Sequence, residues 1–282
     1  MRVIKTKLEL SAFVDDVKKN SKTLGFVPTM GALHQGHLSL IQQSKASTQI
    51  TIASIFVNPT QFNNADDLKN YPRNLQKDLD LLEQMHCDAV FVPSVDEMYP
   101  ELDTRVFDFD GIDLLMEGEH RPGHFNGVAQ IVSKLFEAAK PQKAFFGQKD
   151  FQQVAVIKKM VSKLKFQIEI IACPIIREAD GLAMSSRNQL LEKEYRNTAP
   201  IIHQILTESQ EMAKKLETAD ELKSWVINQF NKIPLLELEY FEIVNQNTLL
   251  PVKQMQGNMG FIGCIALWAG KVRLIDNIIY NY

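Results

Sequence analysis

Two hydrophobic rhythms alternate through the first two-thirds of the chain. Short runs rich in aliphatic, β-branched and aromatic residues predict buried strands at Leu24 to Val27, Ile50 to Val57, Ala89 to Val92, Ala144 to Phe146 and Ile168 to Ala172. Asn58-Pro59 stops the second run, and Cys173-Pro174 follows the last. Between them, helix-like patterns cover Leu38 to Ser44, Leu75 to Met85, Val128 to Ala139 and Gln152 to Leu164. This alternation predicts an α/β fold, a Rossmann-like parallel sheet wrapped by helices. Ligands of such sheets bind at the carboxyl ends of the strands.

The rhythm changes near residue 175. Two polar helices, Glu194 to Lys215 and Ala219 to Asn231, precede strand-like runs at Leu238 to Val244, Phe261 to Trp268 and Lys271 to Ile275. Ala269-Gly270 fits a hairpin turn between the last two. The expected organisation is a first domain over 1–175 and a smaller C-terminal α+β domain over 176–282.

Composition narrows the function. The 282 residues are 45% hydrophobic and 23% charged, the balance of an ordinary globular protein with a substantial core. A net charge of -3 provides no basic field for nucleic acid. Cys87, Cys173 and Cys264 stand far apart, which argues against a disulfide framework or a cysteine-rich metal site. No apolar run approaches the roughly 20 residues that span a bilayer, and the opening Met1-Arg2-Val3-Ile4-Lys5 lacks a signal-peptide pattern. The expectation is a cytoplasmic protein with no membrane partner.

The chemistry concentrates in five segments. Pro28-Thr29-Met30-Gly31-Ala32-Leu33-His34-Gln35-Gly36-His37 joins the first strand to a helix. Glycines let backbone approach a ligand, the helix start offers free N–H groups, and two imidazoles add donors where negative charge builds up. Their i, i+3 spacing would also suit a metal, but no third ligand presents itself. Phe56-Val57-Asn58-Pro59-Thr60-Gln61-Phe62 closes the second strand. It reads either as a polar turn or as a pocket in which Asn58 and Gln61 bind a small polar substrate. Gly118-Glu119-His120-Arg121-Pro122-Gly123-His124-Phe125 is a solvated loop, or one whose Arg121 meets a carboxylate. Phe146-Gly147-Gln148-Lys149-Asp150-Phe151-Gln152-Gln153 repeats the strand-glycine-helix plan. Lys149 suits a phosphate, and Asp150 suits a helix cap or a ribose or amine contact. Arg177 to Asn188 contains Met184-Ser185-Ser186-Arg187, either an interdomain linker or a segment able to close over phosphates.

These five segments, in order and at their spacing, resemble the motifs of the pantothenate synthetase family of HxGH nucleotidylyltransferases. The resemblance covers essentially the whole chain and is most specific through residue 190. A class I aminoacyl-tRNA synthetase would instead carry a Lys-Met-Ser-Lys-Ser-like loop and a basic RNA-binding domain. The resemblance implies ligation of (R)-pantoate to β-alanine at the expense of ATP, through a pantoyl adenylate, releasing AMP and pyrophosphate. It implies an ATP- and pantoate-binding domain over 1–175 and a lid over 176–282. His37, His34, Lys149, Ser185, Ser186 and Arg187 match catalytic positions. Met30, Gly31, Ala32, Leu33, His34, Gln35, Gly36 and His37 match the ATP site, with Gly147, Gln148, Lys149, Asp150, Ile176, Met184, Ser185, Ser186 and Arg187. Gln61 and Gln153 match the pantoate-binding glutamines, and Asn58 and Arg121 match positions near pantoate or β-alanine. Mg²⁺ bridging the phosphates and a homodimer are implied as well. Gln35 and Gln148 stand where acidic residues are common. Asp78 falls where the family often carries acidic residues but Lys77 beside it replaces one, so no protein ligand for the metal is named.

Overall fold

The computed structural model describes residues 1–255 and 260–280. They fall into two compact units, 1–148 with 153–174, and 149–152 with 175–282.

The first unit is built on six parallel strands: β1 (Arg2–Ile4), β2 (Leu24–Thr29), β3 (Ile50–Ile55), β4 (Ala89–Phe91), β5 (Lys143–Gly147) and β6 (Glu169–Cys173). Their order is β1-β4-β3-β2-β5-β6. The chain steps outward from β2 to β3 and β4, then returns to lay β5 on the other side of β2. Order therefore reverses at β2/β5, where such sheets bind ligands beyond their carboxyl edge. The five expected strands are all present. The short edge strand β1 was not expected, and three residues are too few to carry a periodic signal.

Side-chain alternation divides the core into two layers. Phe26, Ile52, Phe91, Ala144 and Phe146 point to one face. There they meet α1 (Lys7–Lys19), α7 (His124–Ala139) and α8 (Phe151–Lys163) through Leu10, Val14, Val132, Phe136, Ile157 and Met160. Val27, Ala53, Val90 and Phe145 point to the other face, against Leu40 and Ile41 of α2 (Gln35–Ser47) and Leu82 of α4 (Leu75–Gln84). Strands buried on both faces explain why they read as continuous apolar runs. Three short helices, α3 (Ala65–Asn70), α5 (Val95–Met98) and α6 (Glu117–His120), lie in the connections.

The second unit folds α9 (Lys193–Thr198), α10 (Ile201–Ala213) and α11 (Ala219–Phe230) with the antiparallel strands β7 (Leu236–Asn245), β8 (Phe261–Ala269) and β9 (Val272–Tyr280). Ile202, Leu206, Leu222, Val226 and Phe230 pack on Phe241, Ile265, Leu267 and Leu274. The helix expected over Glu194 to Lys215 is two helices. Pro200, which has no N–H to continue the first, stands at the N-cap of the second. The hairpin turn is Gly270-Lys271, one residue later than expected, because Ala269 pairs with Val272 and Gly270 takes the left-handed position (φ 61°).

Candidate active site

Beyond Thr29 the chain turns sharply before α2. Gly31 and Ala32 both adopt left-handed backbone, at φ 81° and 50°. Glycine does so freely, whereas at Ala32 the conformation costs on the order of 1–2 kcal/mol and must be held. The turn's N–H groups are held by side chains. Gly31 donates to Thr29 Oγ1 at 3.2 Å, Ala32 to Asp78 Oδ2 at 2.9 Å, and Leu33 to Asp78 Oδ1 at 2.7 Å.

His34 is the N-cap of α2, which starts three residues before the expected Leu38 and so takes His37 into its first turn. Gly36 N–H donates to His34 Nδ1 at 3.1 Å, and His34 N–H donates to His37 Nδ1 at 3.3 Å. The two histidines thus form a reciprocal cap out of imidazoles. With both Nδ1 atoms accepting, the neutral rings carry their protons on Nε2. The ring centroids lie 4.1 Å apart. A helix start bearing two such rings is suited to phosphate oxygens.

After β3 the chain passes through Asn58 into a 3₁₀ turn, Pro59–Gln61. Asn58 is 1% exposed and its amide is fully engaged. Its Nδ2 donates to Gln61 Oε1 (3.1 Å) and to the Gly127 carbonyl (3.0 Å). Its Oδ1 accepts from Tyr99 Oη (2.7 Å) and Thr60 Oγ1 (3.2 Å). Burial pushes the Tyr99 phenol above its ordinary pKa, so it stays a donor. Gln61 Nε2 reaches Met30 Sδ at 3.1 Å, linking this turn to the one after β2, and Gln61 O meets His124 Nδ1 at 2.8 Å.

Strands β3 and β5 both pair with β2. Met30 to His37, Asn58, Gln61, Gly147 and Gln148 therefore share one edge of the sheet. Gln153 lies in α8, half-buried. Arg121, at the C-cap of α6, pairs with Glu117 (3.6 Å).

The remaining expected residues belong to the second unit. Lys149 is half-buried and Asp150 exposed, in the 3₁₀ turn Gln148–Asp150. The Lys149 carbonyl accepts from Asn277 Nδ2 at 3.0 Å. Ile176 O accepts from Met184 N–H (3.0 Å), and Glu178 and Leu182 pair across a turn at Gly181 (φ 94°). Arg177 clamps this ribbon to β9 through a bidentate pair with Asp276 (2.6 and 3.0 Å). Ser185 caps the 3₁₀ segment Ser186–Leu190, in which Ser186 and Asn188 are buried. The ribbon brings Met184, Ser185, Ser186 and Arg187 together at its end.

Four supporting residues, Asp78, Tyr99, His124 and Gly127, were not assigned a role from sequence. Asp78 had a readable signal, a carboxylate at helical spacing with the apolar Leu82 of α4 and Met85 at its C-cap.

Known proteins match the chain along its whole length. The family profile for pantoate-beta-alanine ligase matches residues 2–279. The chain belongs to the pantoate–β-alanine ligase family. A pantothenate synthetase from Porphyromonas gingivalis is 51% identical over 281 residues, covering 100% of both chains. Another from Bacteroides fragilis is 51% identical, covering 100% of this chain and 99% of that one. The crystal structure of pantothenate synthetase from Thermus thermophilus has a TM-score of 0.91 at 40% identity, covering 99% of each chain. The Francisella tularensis pantoate-beta-alanine ligase, solved with beta-gamma ATP and beta-alanine, has a TM-score of 0.78 at 34% identity, covering 99% of this chain and 97% of that one. The protein is a ligase of this family, an enzyme of pantothenate formation from pantoate and β-alanine. Among the described residues, no helix is long and apolar enough to cross a membrane.

Proposed function

We propose that the chain joins the two substrates through a pantoyl adenylate. The pantoate carboxylate attacks the α-phosphorus of ATP and pyrophosphate leaves. The β-alanine amine then attacks the acyl carbon and AMP leaves. The observation that carries this reading is the imidazole cap of α2, which supports both rings as Nε2–H donors at a helix start beside the β2/β5 switch point. Such a device favours the developing charge of a departing pyrophosphate. His37 acts there as donor, with His34, Lys149, Ser185, Ser186 and Arg187 binding phosphate oxygens. Met30 to His37, Gly147 to Asp150, Ile176 and Met184 line the nucleotide site. Gln61 and Gln153 bind pantoate. Asn58 and Arg121 serve the acid and amine substrates, Asn58 through its hold on Gln61.

Mg²⁺ fits as an ion carried by the nucleotide. Among the described residues no three His, Cys, Asp or Glu side chains lie close enough to hold one. When bound it would offset phosphate charge. The working form is read as a cytoplasmic homodimer, on the family resemblance alone.

The test is direct. Purified protein with ATP, Mg²⁺ and pantoate should release AMP in quantity only when β-alanine is added. Absence of AMP then, or equal AMP with other amino acids, would overturn the reading.

A further inference from the structure

The turn that carries the histidines is strained at Ala32, and the residues next to it in sequence offer little to hold it. Thr29 Oγ1 takes one N–H, and the histidines cap each other. The two central donors, Ala32 and Leu33, are met by a residue more than forty positions away. Asp78 sits in the first turn of α4, is 2% exposed, and gives one carboxylate oxygen to each donor. Its Oδ2 lies 2.9 Å from where a Cβ on Gly31 would stand, so carboxylate and backbone approach as closely as glycine permits.

We propose that Asp78 is a positioning residue of the ligase: its buried carboxylate holds the turn Gly31–Leu33, left-handed at Gly31 and Ala32, that sets His34 and His37 at the start of α2. A left-handed non-glycine residue persists only where its surroundings over-determine it, and here the two charge-assisted bonds do so. The carboxylate faces the turn with both oxygens engaged. The catalytic part of this proposal rests on the role given above to the histidines. The anchoring part does not.

Burial raises the Asp78 carboxyl above its usual range, against the pull of the two N–H donors. Replacing the charge by a neutral isostere therefore removes a desolvation cost along with a bond, and Asp78→Asn is expected to fold. Asn keeps one acceptor oxygen and turns an NH₂ toward the second donor. Asp78→Glu keeps the charge, but its added methylene cannot seat both oxygens on the same pair of amides.

Both variants are compared with the parent by amide hydrogen exchange without substrate, by steady-state kinetics and by Mg²⁺ titration of the rate. In each, the Ala32 and Leu33 amides should exchange roughly tenfold faster or more, while β3 and β4 keep their protection. The kcat should fall by roughly 10²-fold, with the KM for pantoate within about threefold, as expected for misplaced catalytic groups. The Mg²⁺ concentration at half-maximal rate should not move. Unchanged exchange at Ala32 and Leu33 would overturn the anchor. So would a tenfold rise in Mg²⁺ requirement at near-normal kcat, which would make Asp78 a metal ligand. Full activity in Asp78→Glu would reduce its role to charge alone and also overturn it. If Asp78→Asn failed to fold, Asp78→Glu would be read by the same measurements. Lost protection in the variants of a parent chain that itself ligates nothing would refute the adenylation reading and leave the anchor standing.

Discussion

Gly127→Ala should impair the enzyme through a contact that involves no substrate. Gly127 is the fourth residue of α7, where the helix meets the 3₁₀ turn carrying Gln61. A Cβ built there would stand 2.5 Å from the Thr60 carbonyl oxygen, 2.7 Å from its carbon and 2.8 Å from Gln61 Cα. Ordinary contact starts at 3.4 Å, so the gap must widen by about 0.9 Å. All three obstructing atoms are backbone, which cannot swing aside as a side chain would. The turn is also tied to α7 through Asn58 Nδ2 on the Gly127 carbonyl and His124 Nδ1 on Gln61 O. The displacement therefore reaches Gln61 and its contact with Met30. Overpacking of this kind costs roughly 1–3 kcal/mol of stability, and a misplacement near 1 Å costs roughly 10²-fold in rate. Initial rates of AMP release against pantoate concentration, with thermal unfolding of the same samples, measure both. Lost stability with kcat/KM for pantoate within about threefold of the parent would show that the helix yields and the turn does not. That result would refute the coupling to Gln61.

Three further outcomes are expected. His37→Ala should lower kcat by roughly 10²-fold. His37→Asn, which can still accept the His34 N–H, should not restore it, and restoration would reduce His37 to a capping residue. Asp276→Ala takes from the Arg177 guanidinium a carboxylate that is only 3% exposed, so urea unfolding should show a loss of roughly 3–5 kcal/mol. A loss below about 1 kcal/mol would mean that the pair does not brace the Ser185 ribbon. Burial pushes the Cys87 and Cys173 thiols up to about 11, so at pH 8 roughly one molecule in a thousand carries either thiolate. Iodoacetamide should leave both unlabelled in the native protein for an hour and label them after denaturation, whereas labelling within minutes would contradict their burial.

The chain announces its chemistry more openly than the scaffold behind it, and the reason is distance along the sequence. His34, Gly36 and His37 are legible because their cap, their glycine and their helix start lie within a few residues of one another. The central strands are legible because burial on both faces removes polar residues from consecutive positions. Asp78 and Gly127 act on partners 45 and 67 positions away, respectively the amide of Leu33 and the carbonyl of Thr60. No local pattern records such a partner. What the sequence does record is the anomaly each leaves in its own helix. Asp78 is a carboxylate on an apolar stripe, and Gly127 is a helix-weakening residue on the buried face of α7. Each anomaly costs stability unless a distant group answers it. Here both answering groups lie in the turns that carry the candidate site, after β2 and after β3. A charged or glycine residue that breaks a buried helical face in this fold is therefore a reason to look to the carboxyl edge of the sheet. By that reasoning Tyr99, whose hydroxyl reaches Asn58 from outside the sheet, belongs to the same support as Gly127.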